Sequence, residues 1–501
     1  MTTSEPCWCS VDIDLAGLLI DGRDYYRAFC DAALKAERYI LLAGWQFDSK
    51  VKLLRGEDAA QAAHPVKLKE LLNWLCANNP QLRIYMLAWD FHVVFALERE
   101  WLQQVSFDWT THENIHFLFD AAHPTGACHH QKFVVVDDQI AFLGGIDICE
   151  HRWDTDQHRL EEPHRKSRGL KHPPFHDVQA FLRSRDAALA LRGLFESRWQ
   201  GAGGEPLDLA PAGSATSRVA VSTFIPDKLR RVAARSAVIS RTDPYGRPTN
   251  IEGCQEIKKL LLRAIDGAER CIYIETQYLS ARAVGLALGA RLADDERSRL
   301  DVVVILNPRA ENFKEEVAIG LAQARIIADL RRLGAEGGHR VGVYFSRPGH
   351  EGCVDPEGST YIHSKVMIVD DTFLTVGSAN LTNRSLSLDT ELNVSFEADG
   401  GDADLVRSIR AIRRGLLTEH AGLELPERDE ELIAVLDDAA ERRRGKIRPY
   451  PPPTEQELEL MRVVDPEASP FDPDLGPSVE QDQRELFSNG LSVLWEKLKR
   501  A

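Results

Sequence analysis

The chain has 501 residues, 44% of them hydrophobic, and its 77 acidic against 61 basic residues give a formal net charge of −16. This length can hold two large units with a core each, whereas the negative charge argues against nucleic acid as a partner, since such proteins bind by neutralising phosphates. No apolar run approaches the roughly 18–20 residues of a membrane-spanning helix, so no transmembrane segment is expected.

The N-terminal stretch contains no recognisable targeting signal. Residues 1–19 lack a basic start followed by an apolar core, so the sequence predicts no signal peptide. The nine cysteines are scattered and odd in number, and only Cys7 and Cys9 lie close together, which is weak evidence for zinc. We therefore expect reduced thiols and a cytoplasmic protein, or one exported without a cleaved signal peptide.

Predicted strands and helices alternate through the first half. The runs AERYILLAGWQF (36–47), LRIYMLAWD (82–90) and IHFLFD (115–120) have the apolar, β-branched and aromatic composition of buried strands. Between the first two, VKLKELLNWLCAN (66–78) repeats apolar residues every three or four positions, which indicates a helix. This alternation predicts an α/β layered unit.

The segment HHQKFVVVDD (129–138) places a histidine and a lysine before a predicted buried strand. Side chains alternate along an extended chain, so His130 and Lys132 point the same way. Asp137 falls at the turn that follows the strand, and QIAFLGGID (139–147) supplies the second strand of a hairpin. This strand ends in two glycines, which let the backbone come close to a ligand.

The second half repeats these features in the same order. AERCIYIETQYL (268–279), LDVVVILNP (300–308) and VGVYFS (341–346) match the three strands, and YIHSKVMIVDD (361–371) repeats the motif. The repeated motif residues are His363, Lys365 and Asp370. One such motif could arise by chance, but two copies with matching flanks indicate a duplicated α/β unit.

Three regions are therefore predicted, with boundaries at residues 1–205, 206–420 and 421–501. The first two are the copies, joined by a segment rich in Gly, Ala, Pro and Ser at 201–217. The last region is acidic and proline-rich and contains amphipathic stretches. It is interpreted as an ordered extension wrapped on the core or as a disordered tail.

The paired HxKxxxxD motifs, with GSAN at 377–380, NRS at 383–385 and Glu391, resemble the phospholipase D superfamily. The flanking stretches GGIDICEHRWD and PPFHDVQAFLR, with IETQYL in the second half, resemble the eukaryotic type. This resemblance implies a phospholipase D/nuclease fold, in which two duplicated α-β-α sandwich units are related by a pseudo-twofold axis and share an active site at their interface.

The expected chemistry follows from the residue types. Cleavage of a phosphodiester requires a nucleophile, a proton for the leaving alkoxide and positive charge on the non-bridging oxygens. Two histidines can divide the first two roles. The resemblance implies that His130 attacks to form a phosphohistidine and that His363 protonates the leaving alcohol. The residues expected to hold the phosphoryl oxygens are Lys132, Lys365 and Asn380, with help from Ser378.

The catalytic imidazoles also need orienting carboxylates. By resemblance, Glu391 is expected to serve His363, and Asp177 is expected to serve His130. The motif aspartates Asp137 and Asp370 fall at the hairpin turns, where a structural role is expected: they accept hydrogen bonds that lock the motif.

Other side chains near the motifs allow two interpretations each. The first copy has Asp147 where the second has Asn380, and this aspartate is interpreted as a partner of a histidine or of a cationic headgroup. Trp45, Tyr278 and Trp153 could line the pocket, but aromatic side chains bury so much area that a role in the core is the stronger expectation.

The predicted function is that of a phospholipase D, which releases phosphatidic acid from phosphatidylcholine or phosphatidylethanolamine and can transfer the phosphatidyl group to alcohols. The alternatives are a cardiolipin synthase-like phosphatidyltransferase, a nuclease of the superfamily and a scaffold without activity. The negative charge disfavours the nuclease, and two intact motifs disfavour the scaffold. No metal or other cofactor is expected, the partner is a phospholipid at a membrane or micelle interface, and a monomer suffices.

Overall fold

The computed structural model describes residues 7–90, 111–124, 126–209, 223–244, 253–309, 319–348, 358–453 and 472. In chain order the strands are β1 (Cys9–Asp12), β2 (Leu15–Ile20), β3 (Tyr39–Gly44), β4 (Arg83–Trp89), β5 (Ile115–Asp120), β6 (Phe133–Val136), β7 (Ile140–Gly144), β8 (Lys166–Ser167), β9 (Leu170–Lys171), β10 (Phe175–His176), β11 (Val178–Arg183), β12 (Arg230–Val232), β13 (Ser236–Asp243), β14 (Cys254–Gln255), β15 (Cys271–Glu275), β16 (Asp301–Ile305), β17 (Arg340–Ser346), β18 (Tyr361–Ile362), β19 (Val366–Val369), β20 (Phe373–Gly377), β21 (Glu391–Glu397) and β22 (Ile447–Pro449).

The helices lie between these strands. They are α1 (Asp21–Ala33), α2 (Gly56–Gln61), α3 (Leu68–Asn78), α4 (Arg185–Gly201), α5 (Glu256–Asp266), α6 (Arg282–Leu292), α7 (Leu321–Glu336), α8 (Asn383–Ser387), α9 (Ala403–Ala421) and α10 (Leu432–Glu441). Within the described ranges, no helix has both the length and the apolarity that crossing a membrane requires.

Two large mixed sheets carry the two motif hairpins. In the first sheet the strand order is β12-β2-β11-β7-β6-β3-β4-β5, and in the second it is β1-β13-β21-β20-β19-β15-β16-β17-β22 with β14 beside β13. The hairpins β6–β7 and β19–β20 occupy equivalent central positions in their sheets. Three mutually parallel strands lie on one side of each hairpin: β3-β4-β5 in the first sheet and β15-β16-β17 in the second. The predicted duplicated α/β architecture is confirmed.

The central strands are apolar throughout because both faces of each sheet are covered. Along β3, Tyr39, Leu41 and Ala43 face a core that also contains side chains of the second sheet. Ile40 and Leu42 face a separate core beneath α1 and α3. The shared core includes buried residues of α4 and α9, so the two halves form one packed body around it.

The halves also exchange their leading strands. Strand β1 precedes β2 in sequence but pairs with β13 in the second sheet, where Cys9 lies opposite Ile239. Strand β12 precedes β13 but pairs with β2 in the first sheet, where Arg230 lies opposite Leu18. The predicted boundaries at 205/206 and 420/421 stay a prediction, and each half completes the other's sheet.

The described part of the C-terminal region packs on the second sheet. Helix α10 buries Leu432, Ile433 and Leu436 against the shared core, and β22 pairs with β17 in antiparallel fashion. Further along, Asp472 is buried and accepts a hydrogen bond from the backbone N–H of Arg384 at 2.8 Å. Residues 432–449 are therefore packed on the second half.

Candidate active site at the interface of the two halves

Each motif hairpin turns through two consecutive aspartates. In the first hairpin, residues 137–139 connect the paired Val136 and Ile140, and Asp137 and Asp138 have φ of 52° and 55°, a left-handed conformation that Asp tolerates. The carboxylate of Asp137 accepts hydrogen bonds from three consecutive backbone N–H groups, those of residues 37–39 at 2.6, 2.9 and 2.9 Å. These contacts tie the turn to the start of β3.

The second hairpin repeats this arrangement. Asp370 and Asp371 have φ of 54° and 59°, and the Asp370 carboxylate accepts from the N–H groups of residues 269–271 at 2.7, 2.7 and 2.8 Å. Both motif aspartates therefore have the predicted hydrogen-bond role at the turns.

Replacing Asp137 by alanine is expected to destabilise the protein. The change leaves three backbone N–H groups without their acceptor, which should lower the free energy of unfolding by about 3 kcal/mol or more. Urea denaturation followed by circular dichroism measures this. Asp137→Asn should be less severe, since one acceptor oxygen remains, and the exposed Asp14→Ala is the control. Equal stability of Asp137→Ala and Asp14→Ala would contradict the assigned role.

His130 lies three residues before the start of β6 and is held by the second half of the chain. Its backbone N–H donates to the Thr390 carbonyl at 3.0 Å. Its Nδ1 lies 2.9 Å from a carboxylate oxygen of Glu391 and 3.1 Å from the backbone carbonyl oxygen of Ser378. The hydroxyl of Ser378 in turn donates to Glu391 at 2.5 Å.

His363 is held in the reciprocal way by the first half. Its backbone N–H donates to the His176 carbonyl at 2.8 Å, and its Nδ1 lies 2.6 Å from Asp177 Oδ2. Gly145 stands where the second copy has Ser378, and a Cβ there would meet Asp177 Oδ1 at 2.2 Å. This glycine therefore leaves room for the carboxylate.

The predicted assignment of carboxylates to histidines was wrong: Glu391 orients His130, and Asp177 orients His363. The reason is geometric. Strands β11 and β21 each pair with the hairpin of their own half, but the residues at their starts reach across the interface. Each imidazole is thus oriented by a carboxylate from the other half.

The two motif lysines lie beside their histidines. Lys132 Nζ is 3.1 Å from the carbonyl oxygen of His130 and 3.3 Å from Asp147 Oδ2. Lys365 Nζ contacts the carbonyl oxygen of His363 and donates to Gln277 Oε1 at 3.2 Å. Both lysine side chains are almost completely buried. This places two ammonium groups in the same enclosed region as the imidazoles.

Asp147 pairs with a lysine. Besides its contact with Lys132, it accepts a hydrogen bond from the backbone N–H of Trp45 at 2.8 Å. Neither interpretation made from the sequence, a histidine or a cationic headgroup as its partner, describes this contact. Asn380, its counterpart in the second copy, is buried, and its Oδ1 has no hydrogen-bond partner among the described residues.

The aromatic side chains divide between site and core. The Trp45 ring lies edge-on to His130 with centroids 5.2 Å apart, and Lys132 Nζ is 5.7 Å from its centroid. Of the two roles expected for Trp45, these contacts favour the one beside the site. Trp153 is buried beneath the guanidinium of Arg55, as expected, and Tyr278 is half-buried.

Burial and charge set the protonation of the site. Burial and the positive charges of Lys132 and Lys365 hold the pKa of His130 well below its usual value. The same factors, with Arg152, lower the pKa of His363. Because both lysines act on both imidazoles, the two motifs share one electrostatic site.

Burial also favours the neutral forms of a neighbouring acid, Glu391, and a neighbouring base, Lys365. Burial raises the pKa of Glu391 to about 8, which favours its neutral form. Burial lowers the pKa of Lys365 to about 7, an effect that the charge of Asp177 opposes. Strongly shifted groups in one enclosed region are typical of catalytic sites.

Sequence reasoning missed Arg152 and Thr390. Arg152 places its guanidinium 4.9 Å from the ring centroid of Phe175 and contributes positive charge at His363. It lies in the GGIDICEHRWD stretch, where nothing in the sequence distinguishes it from the other charged residues that follow. Thr390 acts through its backbone, for which no side-chain signal exists.

Two sequence families match the chain. The family described as "Phospholipase D" matches residues 32–283, about half of the chain, and the family described as "Cardiolipin synthase, PLD-like domain" matches residues 261–411. The matches together include both motif hairpins.

Similar curated proteins and a solved structure extend the comparison. Phospholipase D alpha 3 of Arabidopsis thaliana is 26% identical over 487 residues, covering 72% of this chain and 58% of the relative. Phospholipase D1 of Schizosaccharomyces pombe is 24% identical, covering 81% and 35%. The chain thus spans less than two thirds of either relative. A phosphatidylserine synthase structure from Haemophilus influenzae superposes with a TM-score of 0.50 at 14% identity, over 87% of this chain and 95% of that one, which shows a common fold.

Proposed function

The chain belongs to the phospholipase D superfamily and is of the eukaryotic type, and on this premise we propose that it hydrolyses the distal phosphodiester bond of glycerophospholipids. The proposed substrates are phosphatidylcholine and phosphatidylethanolamine at a membrane or micelle interface, and the products are phosphatidic acid and the headgroup alcohol. One observation carries the proposal: two imidazoles, each oriented by a carboxylate from the other half, lie with two buried lysines in one site.

His130 is the proposed nucleophile, because its tautomer is fixed. The carbonyl oxygen of Ser378 can only accept, so the proton of a neutral His130 imidazole sits on Nδ1. Its Nε2 then carries the lone pair. In the first step Nε2 bonds to phosphorus while the bond from phosphorus to the headgroup oxygen breaks, which forms a phosphohistidine.

His363 is the proposed acid and base. Its Nδ1 faces the carboxyl group of Asp177, which can hold the proton of the pair and leave Nε2–H free to donate. His363 gives this proton to the leaving alkoxide and then takes one from water. The water oxygen bonds to phosphorus, the phosphorus–nitrogen bond breaks, and His130 regains its lone pair.

The positive charge required in both steps is assigned to the lysines. Lys132 and Lys365 hold the non-bridging oxygens, and the amide of Asn380 adds a neutral hydrogen bond. Asp147 offsets the charge of Lys132, so the site carries less positive charge than two unpaired lysines would supply.

The pH dependence of kcat/KM is expected to favour the acidic side of neutrality. The pKa of His130 lies well below 6.5, so the nucleophile stays unprotonated at pH 6.5. The pKa of Lys365 is lowered to about 7, so its charge is present below that pH and is lost as the pH rises through it. The activity should therefore decline above about pH 7. Steady-state rates on short-chain phosphatidylcholine measure this, since kcat/KM reports the free enzyme.

A substitution provides the control for this profile. Lys365→Arg keeps a positive charge throughout this range and should move any remaining alkaline decline to higher pH. Activity that rises steadily from pH 7 to pH 9 in the unmodified protein would contradict the role given to Lys365.

The substrate assignment is tested with a panel of phospholipids in the presence of butanol. Release of choline or ethanolamine together with phosphatidylbutanol would support the proposal, because butanol competes with water for the phosphohistidine. Degradation of DNA without lipid turnover would reject it.

Phosphatidyl transfer to a lipid acceptor is the second candidate, favoured by the match of residues 261–411 to the cardiolipin synthase family. It would use the same residues with the glycerol hydroxyl of phosphatidylglycerol in place of water. Incubation with phosphatidylglycerol alone separates the two: cardiolipin and free glycerol indicate transfer, and phosphatidic acid and glycerol indicate hydrolysis.

A further inference from the structure

A second group of buried titratable side chains lies next to the active site. Asp21, His158, His176 and Glu419 come from the start of α1, the loop before β8, strand β10 and helix α9 of the second half. One ligand atom from each lies within 4.8 Å of the others. The first three residues are completely buried, and the side chain of Glu419 is 8% exposed.

The Asp21 contacts are close to the spacing of ligand atoms around a tetrahedral ion, and the Glu419 contacts are shorter than that spacing. Glu419 Oε1 lies 3.0 Å from His158 Nε2 and 2.8 Å from His176 Nδ1. The Asp21 carboxylate oxygens lie 3.5 Å from the former nitrogen and 3.2 Å from the latter. Zinc with nitrogen and oxygen ligands at about 2.0–2.2 Å sets its ligand atoms about 3.3–3.5 Å apart.

The outer partners of the two imidazoles are those of metal ligands. His158 Nδ1 lies 3.1 Å from Asp154 Oδ2, and His176 Nε2 lies 3.0 Å from Glu275 Oε2. Carboxylates that accept the far N–H of an imidazole fix its tautomer and turn the lone pair of the other nitrogen to the metal. Here both lone pairs would point into the group.

Asp21 gives an independent indication of a ligand. Its Oδ2 is completely buried and has no hydrogen-bond partner among the residues that the structure describes. A buried carboxylate oxygen without a donor is costly, and a cation would satisfy it.

Charge balance allows the same conclusion. Each imidazole has carboxylates at both nitrogens, so without a metal both rings would have to be doubly protonated. A divalent ion between two neutral imidazoles supplies the same two positive charges. It also serves all four inner side chains at once.

We propose that Asp21, His158, His176 and Glu419 bind one zinc ion that joins the two halves of the chain. Two imidazoles and two carboxylates suit zinc, and four protein ligands leave no open position, as in structural sites. The site is independent of the proposed reaction. Its connection to the active site is one of position: His176 directly precedes Asp177, and Asp177 orients His363.

The first test is the metal content of the full chain. Protein expressed with added zinc and dialysed against metal-free buffer should retain about one zinc per chain by mass spectrometry. His158→Gln and Glu419→Gln should each lose this zinc, whereas His172→Gln, which removes a buried histidine outside the group, should keep it. Asp154→Asn should weaken zinc affinity by roughly 10–100-fold. Zinc-free protein, or equal zinc in all variants, would overturn the proposal.

A second measurement uses the unmodified protein, so its result does not depend on whether the variants fold. X-ray absorption at the zinc edge of the unmodified protein should show only nitrogen and oxygen ligands with imidazole scattering. Sulfur ligands would assign the zinc to cysteines and overturn the proposal. Removal of the ion by a chelator should lower the melting temperature, and added zinc should restore it.

Discussion

His130→Ala is expected to lower the turnover of phosphatidylcholine by at least about 10⁴-fold, the scale seen when a covalent nucleophile is removed. The fixed tautomer makes Nε2 of this imidazole the proposed attacking atom, and alanine removes it. Protein denatured at alkaline pH after mixing with phosphate-labelled lipid should be digested and analysed by mass spectrometry, because the phosphorus–nitrogen bond of a phosphohistidine is lost in acid. The label is expected on the peptide that contains residue 130.

Two controls separate chemistry from folding. His164→Ala removes an exposed histidine and should keep full activity and labelling. His130→Gln should unfold at the same temperature as the unmodified protein while remaining inactive. Labelling of His363 in the unmodified protein would reverse the proposed roles, and undiminished turnover by His130→Ala would refute the nucleophile.

The second large effect is expected at His363 and depends on the leaving group. His363→Ala should lose phosphatidylcholine turnover by a factor similar to that of His130→Ala, because choline leaves as an alkoxide that needs a proton. With phosphatidyl-p-nitrophenol the phenolate leaves without a proton. His363→Ala should then release about one p-nitrophenolate per enzyme in a burst and accumulate the phosphohistidine, since no base activates water.

This experiment distinguishes the two histidines. His130→Ala should give no burst with either substrate, because it lacks the attacking nitrogen. A burst from His130→Ala, or steady turnover of the activated ester by His363→Ala at the unmodified rate, would contradict the division of roles. Asp177→Asn should resemble His363→Ala more weakly, as expected for a residue that positions the imidazole.

Local pattern predicted much of the site. The alternation of side chains in a strand placed His130 and Lys132 together, and turn chemistry placed Asp137 where it accepts backbone hydrogen bonds. Comparison of the two halves located the second hairpin, including its aspartate pair. These features depend on residues close in sequence, whose geometry the strand period and the turn type determine.

Contacts between distant segments could not be predicted in this way. The family resemblance suggested that each carboxylate serves the histidine of its own half, yet His130 and Glu391 are 261 positions apart and meet only because the halves pack against each other. The periodicity of apolar residues also does not indicate that β1 pairs with the second sheet instead of the first. The sequence did not indicate the Asp21 group, because its members come from four separate segments that show no spacing typical of metal ligands.

The exchange of β1 and β12 bears on how a duplicated gene could yield this molecule. Each strand comes before the other strands of its own copy in the chain. Each pairs in antiparallel fashion with a strand in the sheet of the other copy. Such arm exchange is what a twofold homodimer with swapped N-terminal segments would contain. Tandem fusion of an ancestral dimer would have required only a linker between two subunits that had already exchanged these strands. After the fusion, the surroundings of the two imidazoles were free to diverge.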